Sequence, residues 1–91
     1  MPVPVLVSGL LREFCGGLPD VSVSARTVRD ALAELERTHP RLYRGVCDET
    51  GAVRRHVNLF VNSDNVKDGA GLDTPLANGD VLTILPAVSG G

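Results

Sequence analysis

A chain of 91 residues reads as one domain, because the usual ~100–200 residues per domain leave no room for a second. Apolar content of 43% and charged content of 22% are those of an ordinary globular protein. The net charge of −2 argues against a nucleic-acid partner, which calls for a basic patch, and no run approaches the ~18 apolar residues of a membrane span.

The chain opens Met-Pro-Val-Pro-Val-Leu-Val, with no positive charge ahead of its apolar run and prolines at 2 and 4. Both features disfavour a secretory signal, so the expected location is cytoplasmic. There Cys15 and Cys47 stay reduced. With only His39 and His56 as further soft ligands, the cysteines match no zinc spacing. No metal site is expected, and both thiols read as ordinary buried side chains.

The valine-dense stretch Val3 to Gly9 predicts a strand. Leu10 to Pro19, with Gly16-Gly17 and Pro19, reads as a loop. Val21 to Ser24 alternates with period 2 and predicts a second strand pairing back on the first. The period then changes: Val28, Ala31, Leu32 and Leu35 make one stripe of an amphipathic helix. Thr27 is its expected N-cap, accepting from the amide of Asp30, and Asp30 complements the helix dipole. Pro40 is expected to end it near His39. Arg41 to Arg55 is the least ordered-looking stretch, with a turn at Asp48-Glu49-Thr50-Gly51. His56 to Asn62 alternates again, with Val57, Leu59 and Val61 on one face and Asn58, Phe60 and Asn62 on the other. Ser63 to Leu76 is turn-rich with a short strand near Val66. Asn78-Gly79-Asp80 predicts a turn before a last strand, Val81 to Leu85.

This order predicts an α+β fold: a ubiquitin-like β-grasp, with a mixed four- to five-stranded sheet and one main helix packed on one face. The expected division is a domain over 1–86 and a flexible tail over 87–91 ending in Gly-Gly. A chain ends in Gly-Gly by chance roughly once in 200 cases at ordinary glycine frequency. Here the pair follows directly on the final strand. Without Cβ atoms, Gly90 and Gly91 can enter a narrow channel closed to other residues. A C-terminal carboxyl is an anion at neutral pH and a poor electrophile, so acyl chemistry at Gly91 needs activation from outside. No phosphate-binding loop is present, and Lys67, the sole lysine, stands outside any such motif. No nucleophile–base pair is evident either, so no residue of this chain is expected to be catalytic.

Leu11-Arg12-Glu13 with Gly16-Gly17, the run Val57-Asn58-Leu59-Phe60-Val61-Asn62, and Asn78-Gly79-Asp80 followed by Thr83 to Gly91 resemble the MoaD/ThiS family of ubiquitin-like sulfur carriers. Within that family the likeness is strongest to the CysO-type carriers of cysteine biosynthesis, and it spans nearly the whole chain. The resemblance implies that a ubiquitin-activating-type enzyme uses ATP and Mg²⁺ to adenylate Gly91. A sulfur donor then leaves a thiocarboxylate there. It also implies delivery of the sulfur to a cysteine synthase and a metallopeptidase that releases the product. Gly90, Ser89 and Val88 would give the tail access to these partners, and the carrier would bind no cofactor of its own.

Strand alternation turns Leu82 and Ile84 inward and leaves Val81, Thr83 and Leu85 on the open face. Phe60 and Leu6 are expected to share that face and form a docking patch with Leu85. Alternatives within the family are the small subunit of molybdopterin synthase, a carrier for another sulfur-containing metabolite, and a protein modifier. A β-grasp ferredoxin is excluded, since its cluster needs four cysteines and the chain has two.

Overall fold

The computed structural model describes residues 2–9, 11–18 and 20–86. Five strands form one sheet: β1 (Pro2–Val7), β2 (Asp20–Ser24), β3 (Val57–Val61), β4 (Asp64–Asn65) and β5 (Leu82–Pro86), in the order β2-β1-β5-β3-β4. β1 and β2 are an antiparallel hairpin, with Val3 opposite Val23 and Val5 opposite Val21. β5 lies parallel to β1, with Val7 opposite Ile84, and antiparallel to β3, with Leu59 opposite Ile84. The sheet is thus mixed, and its last strand in sequence is its central strand.

Helix α1 (Val28–Thr38) covers one face. The side chain of Thr27 accepts from the Asp30 amide at 3.1 Å, satisfying one of the donors a helix start leaves orphaned. Val28, Ala31, Leu32 and Leu35 are all buried. They join one core with Val3, Val5 and Val7 of β1, Val21 and Val23 of β2, Val57 and Leu59 of β3, and Leu82 and Ile84 of β5. Each such Val, Leu or Ile side chain contributes about 1.5–3 kcal/mol on full burial.

The structure corrects the reading of residues 41–55. α1 does end at Thr38, but Pro40 opens a second helix, α2 (Pro40–Val46). Proline suits the first helical position, where its missing N–H has no intrahelical partner to lose. Leu42 and Val46, four apart, bury themselves in the core. Gly45 lets α2 approach a 3-10 turn at Arg12–Cys15, since a Cβ there would meet the Phe14 ring at 3.3 Å. That turn also replaces part of the loop expected between β1 and β2. Near Val66 the strand is displaced: β4 is only Asp64–Asn65, and Val66 itself starts a 3-10 turn. The Asp48 turn does form, with the Asp48 carboxylate accepting from the Thr50 and Ala52 amides.

Asn62 takes a left-handed backbone, φ 56°, which asparagine tolerates better than most residues. Its side chain donates to Asp80 Oδ1 at 3.0 Å and accepts from the Val81 amide at 3.0 Å. The β3–β4 turn is thereby pinned to the entrance of β5. No described helix is long and apolar enough to cross a membrane.

Removing the cap as Thr27→Ala is expected to lower stability by about 1 kcal/mol, read as a lower urea midpoint with an unchanged slope.

Candidate functional site

The sheet face opposite α1 carries the outward residues of β1, β5 and β3. Thr83 stands in the middle of the sheet, paired with Leu6 on one side and Phe60 on the other. Two residues further along β5, Leu85 lies opposite Asn58. Leu6 is 42% exposed and Leu85 40%, while Phe60 is half-buried. The structure therefore brings Leu6, Phe60 and Leu85 together on one open face around Thr83. A groove beside Phe60, lined also by Asn65, Val66, Thr74 and Pro75, extends the patch toward β4.

One neighbour of this patch was not apparent in the sequence. The ammonium of Lys67 donates to Asn58 Oδ1 at 3.4 Å, which sets the only lysine at the border of the Leu85 region. Alternation alone identifies Asn58 as outward. What carries Lys67 back over it is the 3-10 turn at Val66–Asp68, and no periodic signal marks that turn.

The tail residues proposed to carry the chemistry, Val88, Ser89, Gly90 and Gly91, lie outside the described residues, as does the tail of the expected 87–91 boundary. What is described is their root: β5 runs to Pro86, which faces Val57 at the start of β3.

The thiols stand apart from this face. Cys15 is buried, and its Sγ–H lies 3.4 Å from the carbonyl oxygens of Arg12 and Leu18. Cys47, just past α2, is 1% exposed. Burial pushes its thiol up to about 11, helped by the negative charge of Asp48, while the Tyr43 hydroxyl works in the opposite direction. A thiol so held is protonated and unreactive at neutral pH. Among the described residues no three metal-ligating side chains come together.

A five-stranded mixed sheet with α1 across one face and the last strand at its centre defines a ubiquitin-like β-grasp protein, and the solved structures that match it share this fold. More narrowly, the chain belongs to the ThiS family, whose model matches residues 5–91. It is similar to the sulfur carrier protein CysO of Mycobacterium tuberculosis, 38% identical over 93 residues with all of both chains covered. A chain in the crystal structure of the Amycolatopsis orientalis BexX/CysO complex superposes with a TM-score of 0.87 at 34% identity, covering 98% of this chain and 99% of that one. The small archaeal modifier protein 1 of Haloferax volcanii superposes with a TM-score of 0.80 at 30% identity, covering 96% and 98%. The chain thus stands among carrier and modifier proteins rather than enzymes.

The raised Cys47 pKa has a signed consequence. Because the folded thiol holds its proton more tightly than the unfolded one, its contribution is complete below the ordinary thiol range. It is lost as pH rises through about 9 toward about 11. Urea unfolding at pH 8 and at pH 10.5 is expected to show this loss in the wild type. The loss should be smaller in Cys47→Ala, whose stability at pH 8 will itself be lower.

Proposed function

We propose that this chain is a sulfur carrier whose working group is the Gly91 carboxylate. The observation that carries the reading is the position of β5. Its outward residues Thr83 and Leu85 stand in the apolar patch, and past Pro86 the chain runs within five residues to its Gly-Gly end. A partner seated on the patch has the terminus within reach. The full-length similarity to a sulfur carrier protein supports the same reading.

In the first step an adenylating partner binds Mg-ATP. The Gly91 carboxylate attacks the α-phosphorus, expels pyrophosphate and becomes an acyl-adenylate. With hydrosulfide as the nucleophile, sulfur then attacks the acyl carbon and displaces AMP, leaving a thiocarboxylate and a proton. ATP and Mg²⁺ belong to the partner. The thiocarboxylate sulfur then replaces the leaving group at Cβ of an activated serine derivative on a cysteine synthase, giving a thioester. The acyl group shifts from sulfur to the α-amino nitrogen, and a metallopeptidase hydrolyses the resulting amide to free cysteine and the Gly91 carboxylate. Gly90, Ser89 and Val88 admit the terminus to each partner. Leu6, Phe60 and Leu85 supply the docking energy that offsets ordering of the tail, a cost of about 1–2 kcal/mol per residue.

A second reading, protein modification, is favoured by the similarity to small archaeal modifier protein 1. Its first step is the same, but a lysine amine replaces sulfide as the nucleophile.

Incubation with an adenylating enzyme of this kind, Mg-ATP and sulfide is expected to raise the intact mass by about 16 Da as sulfur replaces oxygen. The gain should vanish when Gly91 is deleted. An enzyme active on a control carrier that leaves this mass unchanged would count against the reading, while higher-mass conjugates formed instead would favour modification. In the same assay Leu85→Asp and Phe60→Asp are expected to lower kcat/KM at least about tenfold. Near-wild-type activity of both would remove the patch from the docking surface.

A further inference from the structure

Two arginines at the root of the tail are held in the same way. Arg12 donates through Nε to the Val7 carbonyl at 3.0 Å, and Val7 is the β1 partner of Ile84 in β5. Arg54 donates through Nε to the Arg44 carbonyl at 2.9 Å, among the last carbonyls of α2. It also begins the turn that leads into β3, accepting from the Val57 amide at 3.0 Å. Val57 is in turn the partner of Pro86. Arg12 thus follows β1 and Arg54 precedes β3, the two strands that flank β5.

In both, a single bond from Nε fixes the plane of the group and leaves the terminal nitrogens without a protein partner among the described residues. The ion pairs of the described residues are Arg29 with Asp73 and Arg37 with Glu34, and neither tail-root arginine takes part in one. Asp48 feels the charge of Arg54, but its carboxylate is engaged by Thr50 and Ala52. A planar guanidinium with a free fork matches a carboxylate in bidentate geometry. An arginine already fixed at its base loses less side-chain freedom on binding than an unrestrained one. The arrangement also runs against the overall charge of −2. The two forks attract an acidic group locally where the net charge of the molecule does not, which helps orient the encounter.

We propose that Arg12 and Arg54 are a pair of preset forks that receive carboxylates at the mouth of the partner enzyme's tail channel. The proposal rests on the carrier reading above, since it takes the residues after Pro86 to enter such a channel. The forks are positioning residues and touch none of the reacting atoms.

The test is steady-state pyrophosphate release by an adenylating enzyme that thiolates the wild-type chain, with circular dichroism to check folding. Arg12→Glu and Arg54→Glu are each expected to raise KM for the carrier on the order of tenfold, with kcat and KM for ATP unchanged. Wild-type kcat/KM should fall between about 0.01 and about 0.15 M salt, as the Debye length shrinks from roughly 30 to roughly 8 Å, and the double variant should flatten that dependence. Arg26→Glu changes net charge equally at the opposite end of the sheet, beyond Ser24 and its partner Pro2, and should leave KM within about twofold. If charge reversal unfolds the chain, Arg12→Lys and Arg54→Lys keep the charge without the fork and should still raise KM several-fold. An unchanged KM, or an equal effect from Arg26→Glu, would overturn the proposal. A change confined to KM for ATP would assign the forks to phosphate rather than carboxylate and overturn it too. Failure of the wild type to be adenylated at all would instead sink the carrier reading, and the forks' role with it.

Discussion

Strand β5 is hydrogen-bonded on both edges, to β1 in parallel and to β3 in antiparallel sense, and the rest of the molecule is arranged around that double pairing. Its inward residues, Leu82 and Ile84, are completely buried against α1 and the neighbouring strands. A one-residue slip would turn both to solvent and Thr83 into the core, so the core fixes the register. The same register determines which side chains reach the open face and where the strand ends. Burial on one side of β5 thereby sets the geometry of a docking surface on the other.

The entrance of β5 is secured by polar contacts rather than by apolar burial. Asn62, in a left-handed conformation, bonds to both Asp80 and Val81. The Asp80 carboxylate accepts from the Ala77 amide as well, and these bonds hold it below the usual carboxylate range, the Ala77 amide having the larger effect. One end of the strand is thus clamped, while the other leads into the last five residues. In the proposed function a partner engages those residues, and a firmly seated root spares the domain from rearranging as it does so.

The groups with intrinsic reactivity are kept out of solvent. Cys47 and Cys15 are buried, and Cys47 is held protonated by its surroundings. A protein proposed to carry a nucleophilic sulfur on its terminus has no exposed thiol among its described residues to compete with it. In that proposal the domain contributes shape and charge, and the chemistry falls to its partners.

Much of this was legible in the sequence because it rests on periodicity and local chemistry. The alternation of Val57-Asn58-Leu59-Phe60-Val61 follows from pleat geometry, the stripe of α1 from the helical repeat, and the Thr27 cap from an orphaned amide three residues on. The polar–apolar alternation of β5 also separated Leu82 and Ile84 from Thr83 and Leu85. α2 was not legible, since seven residues are too few to show a helical period and Pro40 reads equally as a stop or a first turn. Strand order was not legible either. That β5 lies between β1 and β3 depends on which long-range pairing buries the most apolar surface, and no local pattern records it. For the same reason only tertiary structure could set Leu6 and Phe60 on either side of Thr83, bring Lys67 to Asn58, and put the segments holding Arg12 and Arg54 next to the strands on either side of β5. Residues far apart in sequence become neighbours through the packing of the whole chain.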